Sequence, residues 1–186
     1  GSEMCIRDSY NGMIWPKKKL EIYEGGANGL PLNNATVTGY YLKKFVNSDI
    51  NFESGSTVTK KHHNWILFRY GEVLLNYAEA MVNAFGSPTY SDSDYPMSAW
   101  AAVSMLRGRE DVHMPLYPED LSPEEFMKRL KNERRVELAF EGHRFWDVRR
   151  WKDLEETAEI YKVEVKKVNG KLEYNKTVSY THLRAH

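Results

Sequence analysis

The residues best suited to chemistry are carboxylates that stand among arginines between residues 128 and 152. Glu133, Glu137 and Asp147 have the side chains that a glycoside hydrolase uses as its acid and base. A carboxylate held between arginines keeps a low pKa, however, which suits a permanent anion and not a general acid. Their spacing alone cannot place two of them on opposite sides of a sugar. We therefore expect the protein not to be an enzyme.

Two adjacent histidines, His62 and His63, are a possible metal pair. Neighbouring side chains in an extended segment point to opposite faces, and no third ligand at a defined spacing accompanies them. His113 and His143 are isolated in the sequence. We interpret all four as ordinary surface or packing residues and expect neither a metal site nor a cofactor.

Three glutamates, Glu133, Glu137 and Glu141, recur at every fourth position and therefore form one stripe along a helix. Such a stripe is a natural partner for arginines of the next helix. We interpret the segment as a structural ion network, and not as a ligand site. Its expected members are Glu133, Arg134, Arg135, Glu137, Glu141, Arg144, Asp147, Arg149 and Arg150.

A nucleic-acid surface is the alternative interpretation of these arginines. Large apolar residues such as Phe140, Trp146 and Trp151 are threaded through the same segment, which favours a folded scaffold. The whole chain holds 26 basic and 26 acidic residues, so it offers no global attraction to a polyanion. We expect no nucleic-acid partner.

Apolar residues at steps of three and four predict a helix over residues 65–85. Asn64 is its expected N-cap, and Gly86 its expected stop. A second helix is expected over residues 97–107, and Gly108 is expected to end it. These two helices would have to pack against the charged segment and hold it in position.

The charged segment itself begins with a strong start signal at residues 122–125. Ser122 is a favourable N-cap, Pro123 fits the first helical position, and a glutamate follows at the third. We predict a helix over residues 123–141 and, after Gly142, a fourth helix over residues 143–154.

Beyond these helices the hydrophobic period changes to two. Val163 and Val165 alternate with charged residues, and Asn169-Gly170 is a preferred two-residue hairpin turn. We predict a β-hairpin over residues 162–175. Residues 10–63 show no helical period and are expected to be irregular, although residues 20–23 and 36–41 could be extended.

The predicted fold class is mainly α, with tetratricopeptide-like helix pairs, irregular loops and a small C-terminal hairpin. Residues 1–9 and 178–186 resemble translated sequencing-adaptor read-through, although natural tails are the alternative. We therefore expect a partial domain over residues 10–177: irregular over 10–63, helical over 64–160 and a hairpin over 161–177. The single cysteine, Cys5, lies in the first flank.

The segment from Asn132 to Trp151 closely resembles the C-terminal signature of the SusD/RagB family, of the form ERRxELAFEGxRxxDxRRW. The segment from Arg69 to Ala80 resembles the family's RYAEVLLNYAEA, and residues 38–45 resemble the segment before it. The resemblance covers about residues 10–160. The sequence departs from it at Gly71, where alanine is usual, at a cost of about 1 kcal/mol of helix preference.

The resemblance implies a helical fold built on tetratricopeptide-like pairs. It also implies a surface-exposed outer-membrane lipoprotein that binds an oligosaccharide, or in some branches a peptide. Such proteins deliver the ligand to a TonB-dependent transporter of the SusC type and are not catalytic. The alternative hypothesis is a tetratricopeptide-like adaptor that binds a protein or peptide.

Aromatic residues outside the helix patterns are the candidates for contact with a glycan, because an aromatic face stacks on a pyranose ring. They are Trp15, Tyr23, Tyr40, Tyr41 and Trp65. Trp15 stands in a turn-rich segment, where recognition residues often lie, and is the single weak candidate for a ligand contact.

Overall fold

The computed structural model describes residues 21–33, 35–40, 44, 62, 66–110 and 113–179. The helices are α1 (Tyr70–Phe85), α2 (Ala99–Arg107), α3 (Pro123–Glu137) and α4 (His143–Arg150). A 3-10 helix (Leu154–Thr157) and two strands, β1 (Ile160–Val168) and β2 (Lys171–Ser179), follow. The predicted fold class, mainly α with a C-terminal hairpin, is confirmed.

The chain forms two compact units, of which one is Asn64–Arg144. In this unit α1 packs against both α2 and α3. Ala78 of α1 and Ala99 and Ala102 of α2 are completely buried, and their small side chains let the two helices approach closely. The core is completed by larger apolar side chains, among them Leu75, Val103, Leu106, Phe126 and Leu130.

Helix α1 begins at Tyr70, so the prediction of a start at residue 65 is wrong. Arg69 has an extended backbone (φ −145°, ψ 158°) and makes no side-chain cap, while Asn64 lies outside the described residues. Hydrophobic periodicity identifies the buried face of a helix but does not fix its ends. The predicted stop is confirmed, because Gly86 is left-handed and its N–H donates to the Val82 carbonyl.

The two following helices start at serine caps. Ser98 Oγ accepts from the Ala101 N–H, and Ser122 Oγ accepts from the Glu125 N–H with Pro123 in the first turn. The predicted N-terminus of α3 is thus confirmed. α2 begins two positions later than expected because Ser98 is its cap and not part of its interior.

Helix α3 ends at Glu137, so the predicted extension to residue 141 is wrong. Leu138 caps the helix, Phe140 has a positive φ of 64°, and Gly142 has a φ of 82°. Five residues of turn therefore separate α3 from α4.

The other unit comprises the described residues up to residue 62 and those from Phe145 onward. α4 stops at Arg150 and not at residue 154, and Lys152 then has a positive φ of 61°. The hairpin is antiparallel, with a register from Ile160↔Ser179 to Val168↔Lys171.

The hairpin turn is the predicted Asn169-Gly170, with φ values of 50° and 79°. Two positive φ angles are what a type I′ turn requires. The hairpin exceeds the predicted residues 162–175 at both ends. Among residues 21–33 and 35–40, the structure shows turns and bends but no strand.

Replacing Ser122 with alanine should destabilise the protein by about 1 kcal/mol, because the first turn of α3 loses its cap. The measurement is a urea unfolding curve. Ser93→Ala, at an exposed loop position, is the matched control and should leave the midpoint unchanged. Equal midpoints for both variants would show that the cap does not stabilise α3.

Candidate functional site

The glutamate stripe of α3 faces the interior of its unit. Glu133 is fully buried and Glu137 is 5% exposed, while Glu141 follows in the turn after the helix. Buried carboxylates need cations and hydrogen-bond donors, since an uncompensated buried charge costs several kcal/mol. The role of the glutamate stripe therefore depends on the cations and hydrogen-bond donors that surround it.

Glu133 is compensated by Arg107 at the last position of α2. The Arg107 guanidinium forms an ion pair with Glu133 Oε2, and its Nε donates to the Pro115 carbonyl at 2.8 Å. The Tyr117 hydroxyl lies 3.3 Å from the same carboxylate oxygen, and the guanidinium stacks 4.6 Å from the centre of the Tyr117 ring. Every contact is internal, so this cluster anchors α2 and the following segment to α3.

Glu137 and Glu141 share Arg69, the residue before α1. Arg69 Nη1 donates to Glu137 Oε1 at 2.6 Å and Nη2 donates to the Glu137 carbonyl at 2.6 Å. Arg69 Nε and Nη2 donate to the two carboxylate oxygens of Glu141 at 2.8 and 2.9 Å. Arg109 Nη1 and Nη2 donate to Oε1 and Oε2 of Glu137 at 3.0 and 3.2 Å.

The pKa of Glu137 falls below its ordinary value of 4.5. Burial alone would raise it, but the hydrogen bonds and charges of Arg69 and Arg109 outweigh burial. For Arg69, burial opposes the charged form, yet the bonds to Glu141 and Glu137 raise its pKa. A carboxyl group kept ionised in this way holds structure together and is a poor proton donor.

The remaining expected members of the network have other surroundings. Arg134 is buried and donates to Asn76 Oδ1 at 2.6 Å, and Arg144 is half-buried. Arg135 is exposed. The structure therefore does not bring Arg135 into the cluster that forms around the glutamate stripe.

In the other unit, Asp147 is buried and pairs with Arg150 at 3.2 Å. Arg149 is exposed; it lies 3.5 Å over the Phe145 ring and donates to the Phe145 carbonyl. Arg149, an expected member of the ion network, thus contacts the aromatic ring of its own helix. Phe145 and Trp146, in edge-to-face contact, are 53% and 68% exposed.

Sequence reasoning missed the three cations that matter most to the stripe: Arg69, Arg107 and Arg109. We expected arginines from the next helix, but all three precede α3 in the chain. A signal existed. Arg107 and Arg109 flank the predicted end of α2, and a stripe of three glutamates requires cations from outside its own helix.

Gly71 has a spatial role beside this network. A Cβ atom at this position would lie 2.7 Å from Arg69 Nη1 and 3.2 Å from Leu106 Cδ1. The glycine that costs helix preference therefore leaves room for the Arg69 guanidinium between α1 and the carboxylates.

The candidate ligand contact Trp15 lies outside the described residues, as do Tyr41, Trp65 and His63. Tyr40 is half-buried. Tyr23 is also half-buried, and Lys167 Nζ lies over its ring at 4.9 Å from the ring centre. Across the described part of the chain, no group of three His, Cys, Asp or Glu side chains is arranged to hold a metal.

The model of the SusD family matches residues 11–184 of this chain. That match spans most of the sequence, so the chain belongs to the SusD family. No helix among the described residues is long and apolar enough to cross a membrane.

Two relatives agree with this assignment. The chain is 29% identical over 149 residues to SusD-like protein P2 of Formosa agariphila, a match that covers 77% of this chain and 26% of that protein. It is also similar to the crystal structure of a SusD-like protein from Bacteroides fragilis, with a TM-score of 0.64 and 28% identity. This second match covers 92% of this chain and 30% of the other. The chain thus spans about a quarter to a third of the length of these relatives.

Arg107→Ala should destabilise the protein by about 3 to 5 kcal/mol, because it leaves the buried Glu133 without its cation. Arg135→Ala, on the exposed face of the same unit, should change the stability by no more than about 0.5 kcal/mol. Both are measured by urea unfolding. A similar loss in the two variants would contradict the assigned pairing.

The low pKa of Glu137 predicts a pH dependence. Because its folded pKa lies below the ordinary 4.5, its contribution to stability is present above pH 4.5 and is lost as the pH falls through the folded pKa. Glu137→Gln should remove this part of the acid sensitivity, whereas Glu124→Gln, at an exposed position, should not. The measurement is the free energy of unfolding from pH 7 to 3, and parallel profiles for all three proteins would refute the prediction.

Proposed function

We propose that the protein binds a nutrient glycan at the cell surface and delivers it, chemically unchanged, to a TonB-dependent transporter of the SusC class. The observation that carries the proposal is the family match along residues 11–184. The names of the two relatives, both SusD-like, support the same role. A peptide in place of the glycan is the variant to be excluded by experiment.

The proposal includes the absence of catalysis. The carboxylates that a glycosidase would need are withdrawn from solvent: Glu133 is fully buried against Arg107, and Glu137 is held by two arginines. Neither presents an acid to a bound sugar. The arginine-rich signature then maintains the scaffold, and recognition falls to other parts of the molecule.

We also propose that the protein is lipid-anchored at the outer membrane in its complete form, facing outward. The balanced charge of the chain agrees with a neutral ligand and with the lack of a nucleic-acid partner. The adaptor hypothesis rests on helix-pair architecture, which a SusD-like scaffold also has, so that architecture does not favour it.

The test is a glycan-array screen followed by calorimetry, with the protein expressed from its complete gene. We expect saturable binding of at least one oligosaccharide and no release of reducing ends from any bound polysaccharide. Glu137→Gln should leave the glycan affinity of the folded protein unchanged. Binding to peptides alone, or reducing ends that vanish in Glu137→Gln, would overturn the proposal.

A further inference from the structure

A cavity of about 390 Å³ lies between β1 and the turn-rich loop of residues 21–40. Its volume falls in the range of roughly 300 to 1,000 Å³ that is typical of small-ligand pockets. The described lining residues all belong to the same compact unit. None of its described lining residues belongs to the ion network around the α3 glutamates.

The loop is held against β1 by two backbone hydrogen bonds. The Glu24 N–H donates to the Val165 carbonyl at 2.8 Å, and the Val163 N–H donates to the Thr38 carbonyl at 2.9 Å. Next to Thr38, Gly39 has a φ of 76° and lets the loop touch the strand: a Cβ there would lie 2.1 Å from the Val163 oxygen. The walls are therefore fixed by main-chain contacts before any ligand arrives.

The same hydrogen bonds argue against a peptide in this cavity. An added β-strand needs the outward N–H and C=O groups of the strand that receives it. The N–H of Val163 and the C=O of Val165 are already bonded to the loop. A ligand must therefore be recognised by side chains and not by strand pairing.

One part of the lining is apolar. Ile22, Leu30 and Val37 contribute to it, and Leu30 and Val37 remain 41% and 71% exposed. Exposed aliphatic side chains beside a cavity offer contact to the C–H face of a pyranose. Ligand pockets typically combine such apolar surface with a few polar groups that fix orientation.

The polar part is balanced in charge. Lys162 and Lys166 line the cavity together with Glu24 and Glu164, and Lys162 Nζ pairs with Glu164 Oε1 at 2.8 Å. Two cations and two anions give no net attraction to a charged ligand, yet they supply many donors and acceptors. That combination suits the hydroxyl groups of an uncharged sugar.

From this combination we infer that the cavity between the 21–40 loop and β1 is a binding site for a short neutral saccharide. The inference rests on the proposed function and names a site for it. The ligand places a C–H face on the apolar part and its hydroxyl groups toward the lysines and glutamates.

The test uses Val37→Ser, which removes an aliphatic contact from the cavity in a side chain that is already 71% exposed. Val168→Ser is the matched control, since Val168 is 41% exposed on β1 and does not line the cavity. The protein, expressed from its complete gene, is titrated by calorimetry with the neutral oligosaccharide that binds best on the array. Methyl NMR of Val163 and Val165 reports on the cavity directly.

We expect Val37→Ser to weaken binding at least about threefold, because the C–H face of the sugar loses an aliphatic contact, with an unchanged melting temperature. Val168→Ser should bind like the original protein, and the Val163 and Val165 methyl signals should shift on titration. Uronic-acid oligosaccharides of equal length should neither bind nor compete.

Three results would overturn the inference, and only the third would also reject the proposed function. Equal affinity in both variants without methyl shifts would mean that the glycan binds elsewhere, so the function would stand without this site. Preference for the acidic oligosaccharides at the cavity would reject the neutral ligand. No binding of any glycan by the original protein would reject the proposed function and the site together.

Discussion

The burial of two glutamates on one face of α3 is the constraint on which the helical unit depends. Neither Glu133 nor Glu137 can lie in the interior without a cation, and α3 provides none of the three cations that pair with them. Arg107 comes from the end of α2, Arg69 from the residue before α1, and Arg109 from just beyond α2. Correct charge pairing therefore requires that three separate segments meet, in addition to the apolar contacts between helices.

This constraint explains where the helices begin and end. Arg69 is extended and not helical, which lets its guanidinium reach the last turn of α3 and the residue Glu141 beyond it. Gly71 leaves space for the same guanidinium. In the turn after Glu137, Glu141 accepts from Nε and Nη2 of Arg69, while the Glu137 carboxylate accepts from Nη1. Local helix preference was overridden at these points by the pairing of charges.

The sequence predicted the features that depend on near neighbours. Ser122 with Pro123, and Asn169 with Gly170, act within a few residues, so their cap and turn could be read directly. The apolar period located part of the buried face of α1: Leu74, Ala78 and Met81 are buried, whereas Tyr70 is exposed. The start of α1, the end of α3 and the partners of the glutamates depend on residues tens of positions away. A single sequence contains no information about which arginine meets which glutamate.

The same division separates the scaffold from the region that recognises a ligand. Of the signature residues from Glu133 to Glu141, five are buried, and only Arg135 and Phe140 are exposed. Membership of the family therefore identifies the class of protein but does not locate its ligand site.

The loop of residues 21–40 has no periodic pattern, but its position on β1 requires one feature of its sequence. Gly39 lies against the Val163 carbonyl, where any side chain would clash. A loop fixed so closely to a strand can keep a cavity open while the residues that line it vary, because its attachment uses main-chain atoms and not the lining side chains. Ligand specificity in such a site can change without disturbing the buried charges that hold the helices.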